Sequence, residues 1–292
     1  MKYVVLGYIG FDNFGDEAIA YVLSQKLKAQ NSDDIVYISS NPIKTSKMYG
    51  VKSCGMLGFI PHVLKSDILI SAGGSLLQDV TSLKSLLYYL FVIAFAKFCQ
   101  KRVELLAQGI GPINSEIGRL FTRFILSKVD KITVRDVNSQ KLLENWSINA
   151  ELVKDSVFDI DVPKTEKTGR IGIQLRQFKG VNKEFLNRLS DYISENFNGR
   201  IIDVISLQDS MDFDICNTFA NLLKNRGFEV NLKNGLNIQE AIKVISSLDS
   251  LIAMRYHANV IAIKAGVKTI AINYDPKVAA LAEEYNLPII EL

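Results

Sequence analysis

The sequence predicts an α/β fold made of two Rossmann-like, doubly wound domains facing across a cleft. Three observations carry this. Short apolar strands and helices alternate from end to end, the pattern of parallel sheets covered by helices. The alternation breaks once, at Asp159–Gly169 (DIDVPKTEKTG), which is polar, holds a proline and a glycine and lacks an apolar period. Glycines or charged residues stand just after many of the strands, where ligands bind in open α/β sheets. The break places the domains at 1–160 and 168–292.

In the first half, Tyr3–Leu6 reads as a strand, Gly7–Gly15 as a loop and Asp16–Ala29 as a helix. Strands follow at Asp34–Ile38 and Asp67–Ser71, the latter running into Gly73-Gly74-Ser75. Leu86–Phe98 is an apolar helix. Val103–Ala107 is a strand that opens into Gln108-Gly109-Ile110-Gly111-Pro112. A helix over Glu116–Lys128, a strand over Lys131–Val134 ending at Arg135-Asp136, and a helix over Val137–Asn145 complete the half. The second half restarts with a strand at Arg170–Leu175 that ends in Arg176. Helices over 183–197, 212–225 and 238–247 alternate with strands over 200–207 and 228–232. A strand at Ser250–Ala253 ends in Met254-Arg255-Tyr256-His257, and a small helix reaches Lys264. A strand at Lys268–Ile272 leads to Asn273-Tyr274-Asp275-Pro276-Lys277, and a final helix closes the chain. No internal repeat or low-complexity tract is present.

Composition narrows the function. Of 292 residues 48% are hydrophobic and 22% charged, enough for substantial cores. A net charge of +3, without a Lys/Arg run, does not argue for nucleic acid. Cys54, Cys99 and Cys216 are scattered with no CxxC, which fits a reducing, cytoplasmic setting and gives no metal site. The N-terminal apolar run is too short for a signal peptide. Leu86–Phe98 is too short to span a bilayer and is fenced by Lys84, Lys97 and Lys101. A buried helix is its first reading; peripheral contact with the inner membrane face is its second.

The loop Gly7-Tyr8-Ile9-Gly10-Phe11-Asp12-Asn13-Phe14-Gly15-Asp16-Glu17 is not spaced as G-x-G-x-x-G, and its acids would repel a pyrophosphate at the helix N-terminus. Asp16 is therefore expected to orient or deprotonate a sugar hydroxyl, the plain alternative being a helix cap from Asn13 or Asp16. Gly73-Gly74 lets a backbone approach a ligand closely, with Gln78 and Asp79 offering polar groups beyond it. Gln108 repeats that arrangement one strand over. Arg135 reads as a salt-bridge partner of Asp136 or a helix end. In the second half Arg176, Arg255, His257 and Lys277 gather at one sheet edge, a set suited to a small, multiply charged anion. Ordinary surface charge is the plain alternative. His62, beside Pro61, receives no role.

At these residues the sequence resembles the polysaccharide pyruvyl transferase family. The resemblance rests on GYIGFDNFGDEA, AGGSLLQD with Thr81-Ser82, AQGIGP, and MRYH followed by YDPK, in order over nearly the whole chain. It implies a GT-B-like fold. It also implies transfer of the pyruvate unit of phosphoenolpyruvate to a sugar as a ketal, with release of phosphate. The acceptors it implies are lipid-linked precursors of cell-wall or capsular polysaccharide, such as secondary cell wall polymers. The family's His and downstream Lys match His257 and Lys277, and Arg255 lies in the same motif; Arg176 is added from its strand-end position. Ala72 stands where a third glycine is common, and Asp155-Ser156-Val157-Phe158 matches a DPAF-like segment in part. The chain ends at Leu292, soon after YDPK, where relatives run on in a tail expected to cross back to the first domain.

The expected scheme follows from the substrate. Phosphoenolpyruvate carries about three negative charges near neutral pH, so several cations are needed to hold it out of water. Arg255, Lys277 and Arg176 are expected to clamp phosphate and carboxylate, and His257 to protonate the methylene carbon or the departing phosphate. Asp16 or Asp79 would orient or deprotonate the acceptor hydroxyl, with Asn13, Gly15, Gly74, Gln78 and Gln108 lining the acceptor side. No cofactor or metal is required. The alternatives are a sugar-nucleotide glycosyltransferase of the same fold, with Glu240 or Asp249 gripping a ribose, and a non-catalytic glycan-binding protein.

Overall fold

Apolar runs and capped helices build two separate parallel sheets. The computed structural model describes residues 1–30 and 34–292. These form two units, Met1–Asp159 and Ile160–Leu292. In the first, seven strands lie in the order β3-β2-β1-β4-β5-β6-β7: β1 Lys2–Leu6, β2 Asp34–Ser39, β3 Lys52–Gly55, β4 Ile68–Ala72, β5 Arg102–Gln108, β6 Lys131–Val134 and β7 Glu151–Leu152. In the second, six strands lie in the order β10-β9-β8-β11-β12-β13: β8 Ile171–Gln174, β9 Ile202–Ile205, β10 Val230–Lys233, β11 Ser250–Ala253, β12 Lys268–Asn273 and β13 Ile289–Glu291. Neighbouring strands pair in parallel; Val4 faces Val36 and Leu69, and Ile173 faces Val204 and Ile252. Counted from its own first strand, each unit runs 3-2-1-4-5-6, the doubly wound order, with β7 added at the edge of the first; strand order reverses at β1/β4 and at β8/β11.

The central strands β4, β8, β9 and β11 are buried throughout, as strands covered on both faces must be. Three edge or near-edge strands, β3, β7 and β13, go beyond the sequence reading, as does α2 (Pro42–Tyr49). Lys52-Ser53-Cys54-Gly55 buries only Cys54, and Glu151-Leu152 buries neither residue, so these strands carry little apolar pattern. β13 follows the last helix, α11 (Pro276–Glu284), which the sequence reading took as the end of the fold.

The other helices of the first unit are α1 (Phe14–Ala29), α3 (Ile60–Lys65), α4 (Leu83–Phe98), α5 (Glu116–Leu126) and α6 (Val137–Glu144), before a 3-10 turn at Ser156–Asp159. Those of the second are α7 (Lys183–Asn196), α8 (Asp209–Asn225), α9 (Ile238–Ser247) and α10 (Tyr256–Lys264). Helix α4 turns Leu86, Leu90, Val92 and Ile93 into the core beside Leu69 and Val103. Its buried face agrees with the first reading of that stretch. No helix among the described residues is long and apolar enough to cross a membrane.

Candidate active site

Each unit carries a cluster at its own strand-order reversal. In the first, the loop after β1 meets the loop after β4. Asn13 caps α1, its Oδ1 accepting the Gly15 N–H at 3.1 Å. The cap is therefore Asn13, and Asp16 lies in the first turn of the helix. Its carboxylate lies over Gly74: a Cβ at Gly74, whose φ is +74°, would stand 2.6 Å from Asp16 Oδ1. The paired glycine is therefore needed so that the carboxylate can sit against the backbone. Glu17, the next residue, turns inward. It accepts the Gly10 N–H at 2.7 Å and the Tyr49 hydroxyl, and burial raises its pKa above the ordinary carboxylate range. The two adjacent acids thus divide, Glu17 pinning the loop and Asp16 standing at the strand ends.

Four expectations for this cluster are corrected. Asp79 accepts the N–H groups of Asn114 and Ser115 at 2.7 and 2.8 Å, and these bonds lower its pKa. A carboxylate so held is a poor proton acceptor; Asp79 anchors the start of α5 instead. Gln108 is fully buried, donating to the carbonyls of Gly73 (3.1 Å) and Gly74 (3.0 Å) and accepting from Ser71 Oγ (3.0 Å). It shapes the glycine loop from beneath and does not face an acceptor. A bulge in β5, with Ala107 at φ 46°, accompanies this inward turn. Gln78 bonds Thr81 twice, closing a local turn. Arg135 pairs with Asp155 at 2.5 Å and Ser75 Oγ at 3.0 Å, while Asp136 caps α6. The partner Asp155 lies 20 residues away in sequence, so no local pattern announces it.

Two aromatics escaped the sequence reading although they lie within the first glycine loop. Tyr8 and Phe11 stack at 4.1 Å, both partly exposed. The Tyr8 hydroxyl is raised in pKa by burial and by the Asp16 charge, which places the carboxylate near the ring pair.

In the second unit, Arg176 follows β8, His257 follows β11 and Lys277 follows β12, three successive strands of the sheet. Arg176 Nη1 donates to Tyr274 Oη at 3.3 Å, and its guanidinium lies 5.3 Å from that ring's centroid. Phe178 packs edge-on against Tyr274 at 5.0 Å. Arg176 has no carboxylate partner among the described residues, and its Nε has no hydrogen-bond acceptor there. His257 is half-buried in the first turn of α10, edge-to-face with Tyr256 at 5.1 Å. Among the described residues Arg255 makes no side-chain cap bond at the start of α10, whereas Asn237 caps α9 and Asp275 caps α11. The positive end of the α10 dipole points at this edge, an arrangement that attracts anions. Lys277 is exposed in the first turn of α11.

Arg255 is a further correction. It does not stand open at the edge. Its side chain is buried, with Nε 2.7 Å from Asp212 Oδ2, Nη2 2.8 Å from Oδ1 and 2.9 Å from Gln208 Oε1. Its backbone N–H bonds Gln174 Oε1 at 2.8 Å. Arg255 thus joins the end of β8 to the starts of α8 and α10, while Arg176 and Lys277 lie just past the ends of β8 and β12. Among the described residues no cluster of His, Cys, Asp or Glu could hold a metal.

Solved structures define the class of fold. The UDP-GlcNAc 2-epimerase of Methanocaldococcus jannaschii superposes with a TM-score of 0.63 at 13% identity, over 100% of this chain and 89% of that one. MnaA of S. aureus with UDP gives 0.66 at 10%, over 100% and 84%. The epimerase of Neisseria meningitidis bound to UDP-GlcNAc gives 0.59 at 12%, over 96% and 85%. The chain is a two-domain, Rossmann-like protein of GT-B-like fold. No curated sequence matches it significantly. The family profile described as polysaccharide pyruvyl transferase matches residues 13–276, so the chain belongs to that family, whose members are transferases of polysaccharide biosynthesis.

Proposed function

We propose that the protein moves the pyruvate unit of phosphoenolpyruvate onto a sugar of a lipid-linked cell-wall or capsular polysaccharide precursor. The single observation behind the donor is the strand-end set of the second unit. Arg176, without a carboxylate partner, stands with His257 and Lys277 beside the start of α10. Arg176 and Lys277 hold phosphate and carboxylate. His257 delivers a proton to the methylene carbon, making it a methyl group and leaving an oxocarbenium-like centre. A sugar hydroxyl attacks that centre and gives up its proton. Phosphate departs with one proton as a second hydroxyl of the same sugar closes the ketal. Two hydroxyl protons are lost, one balancing the new C–H bond and one leaving on phosphate. Tyr8 and Phe11 offer the acceptor sugar an apolar face beside Asp16.

The test is phosphate release from phosphoenolpyruvate with a suitable acceptor. Replacing His257 with alanine should lower turnover by roughly 10²–10⁴-fold; near-full turnover would remove it from the scheme.

A sugar-nucleotide enzyme is the second reading, favoured by the UDP-bound neighbours. The carboxylates that it needs are engaged elsewhere. Glu240 closes a capping box with Asn237, and Asp249 precedes β11, at the opposite strand end from Arg255, paired with Arg200.

A further inference from the structure

Helix α5 shows the reverse of an ordinary surface helix. Its inward residues are small or few, Gly118, Thr122 and Leu126. Its outward stripe is apolar: Ile117 is 58% exposed, Leu120 67%, Phe121 47% and Phe124 64%. The spacing i, i+3, i+4, i+7 puts all four on one helix face. The neighbouring α4 adds Phe91 and Phe98, its two exposed apolar residues. The stretch singled out by hydropathy is therefore mostly core, and the uncovered apolar surface lies one helix further on.

Charge selects the occupant. Arg119, Arg123 and Lys128 accompany the stripe, with Glu116 the lone carboxylate over 115–128. Lys128 Nζ lies 5.8 Å from the centroid of Phe124. Arg119 is partly occupied by the carbonyls of Ile113 and Asn114, while Arg123 is exposed. A second copy meeting this face through a two-fold axis would bring like charges together. An anionic lipid surface meets both features, taking the Phe and Leu side chains below the headgroups and the cations at their level.

We propose that α5, with the exposed phenylalanines of α4, docks on anionic phospholipid bilayers. The consequence for the proposed function is direct. Asp79 binds the N–H groups of Asn114 and Ser115 at the start of α5 and belongs to the same loop as Gly74. Docking therefore brings the acceptor loop of the first unit to the lipid surface, where the sugar of a lipid-linked acceptor is displayed. This consequence rests on the lipid-linked reading; the docking itself does not.

The test is co-sedimentation of the full chain with phosphatidylcholine vesicles containing phosphatidylglycerol, against phosphatidylcholine alone. Binding should appear with the anionic vesicles and weaken with salt. It should fall about tenfold or more in the pair L120S/F124S and in R123E/K128E. Both pairs change exposed side chains, so their melting temperatures should match the parent's, and turnover on a soluble acceptor should persist. Failure of the parent to bind anionic vesicles overturns the proposal. So does a parent dimer, seen by analytical ultracentrifugation, that L120S/F124S dissolves. Vesicle binding needs no turnover, so loss of docking and loss of pyruvyl transfer are read separately.

Discussion

Two neighbouring acids, Asp16 and Glu17, show how much a single position decides. Both stand in the first turn of α1, yet only Glu17 is buried. Its pKa is raised above the ordinary 4.5 chiefly by burial. The folded state therefore holds this proton more tightly than the unfolded chain. The stability it contributes is complete below the unfolded pKa and is lost as pH rises through the higher folded value. Melting temperatures of the parent and E17Q between about pH 4 and 8 should show the parent's relative advantage shrinking as pH rises. Asp79 has the opposite sign. Its pKa is lowered from 3.8 by the Asn114 and Ser115 N–H groups, so its contribution is present above 3.8 and lost as pH falls through the folded value. D79N should melt lower than the parent at neutral pH, converge with it in acid, and keep its turnover. Loss of turnover at unchanged stability would restore Asp79 as the base.

At the scale of elements, Arg255 is a clasp. Its guanidinium and Asp212 are both buried, with side chains 9% and 0% exposed. Removing one partner strands the other charge, at a cost of about 3–5 kcal/mol. R255A should lose about that much in urea denaturation, and the apolar pair R255M/D212L should recover most of it. If R255A leaves stability intact but weakens phosphoenolpyruvate binding, the clasp assignment is wrong. Sequence reading placed Arg255 correctly at a strand end but could not show its direction. The acceptor, Asp212, is 43 residues upstream on another helix. Gln108 misled for the same reason: its polarity was visible, while the carbonyls of Gly73 and Gly74 that consume it come from another strand end.

At the scale of the whole molecule, the donor is the deciding question. A ligand that binds only the folded state stabilises it by about 2.7 kcal/mol at 100 times its dissociation constant. Phosphoenolpyruvate should therefore raise the melting temperature with concentration, and UDP-GlcNAc should leave it unchanged. The reverse result would favour the sugar-nucleotide reading.

The alternation, the parallel sheets and the strand ends near which Asp16, Arg176, His257 and Lys277 stand can be read from the residues alone. Those features follow from local period, turn residues and chain order, which are written in contiguous residues. How the polar side chains are paired follows from the packing in three dimensions. It spent Arg255 on Asp212, Gln108 on the glycine loop and Asp79 on α5, and it turned the apolar face of α5 outward. Each outcome depends on a partner brought close from far along the chain, and distance in space is not encoded in any one stretch of it.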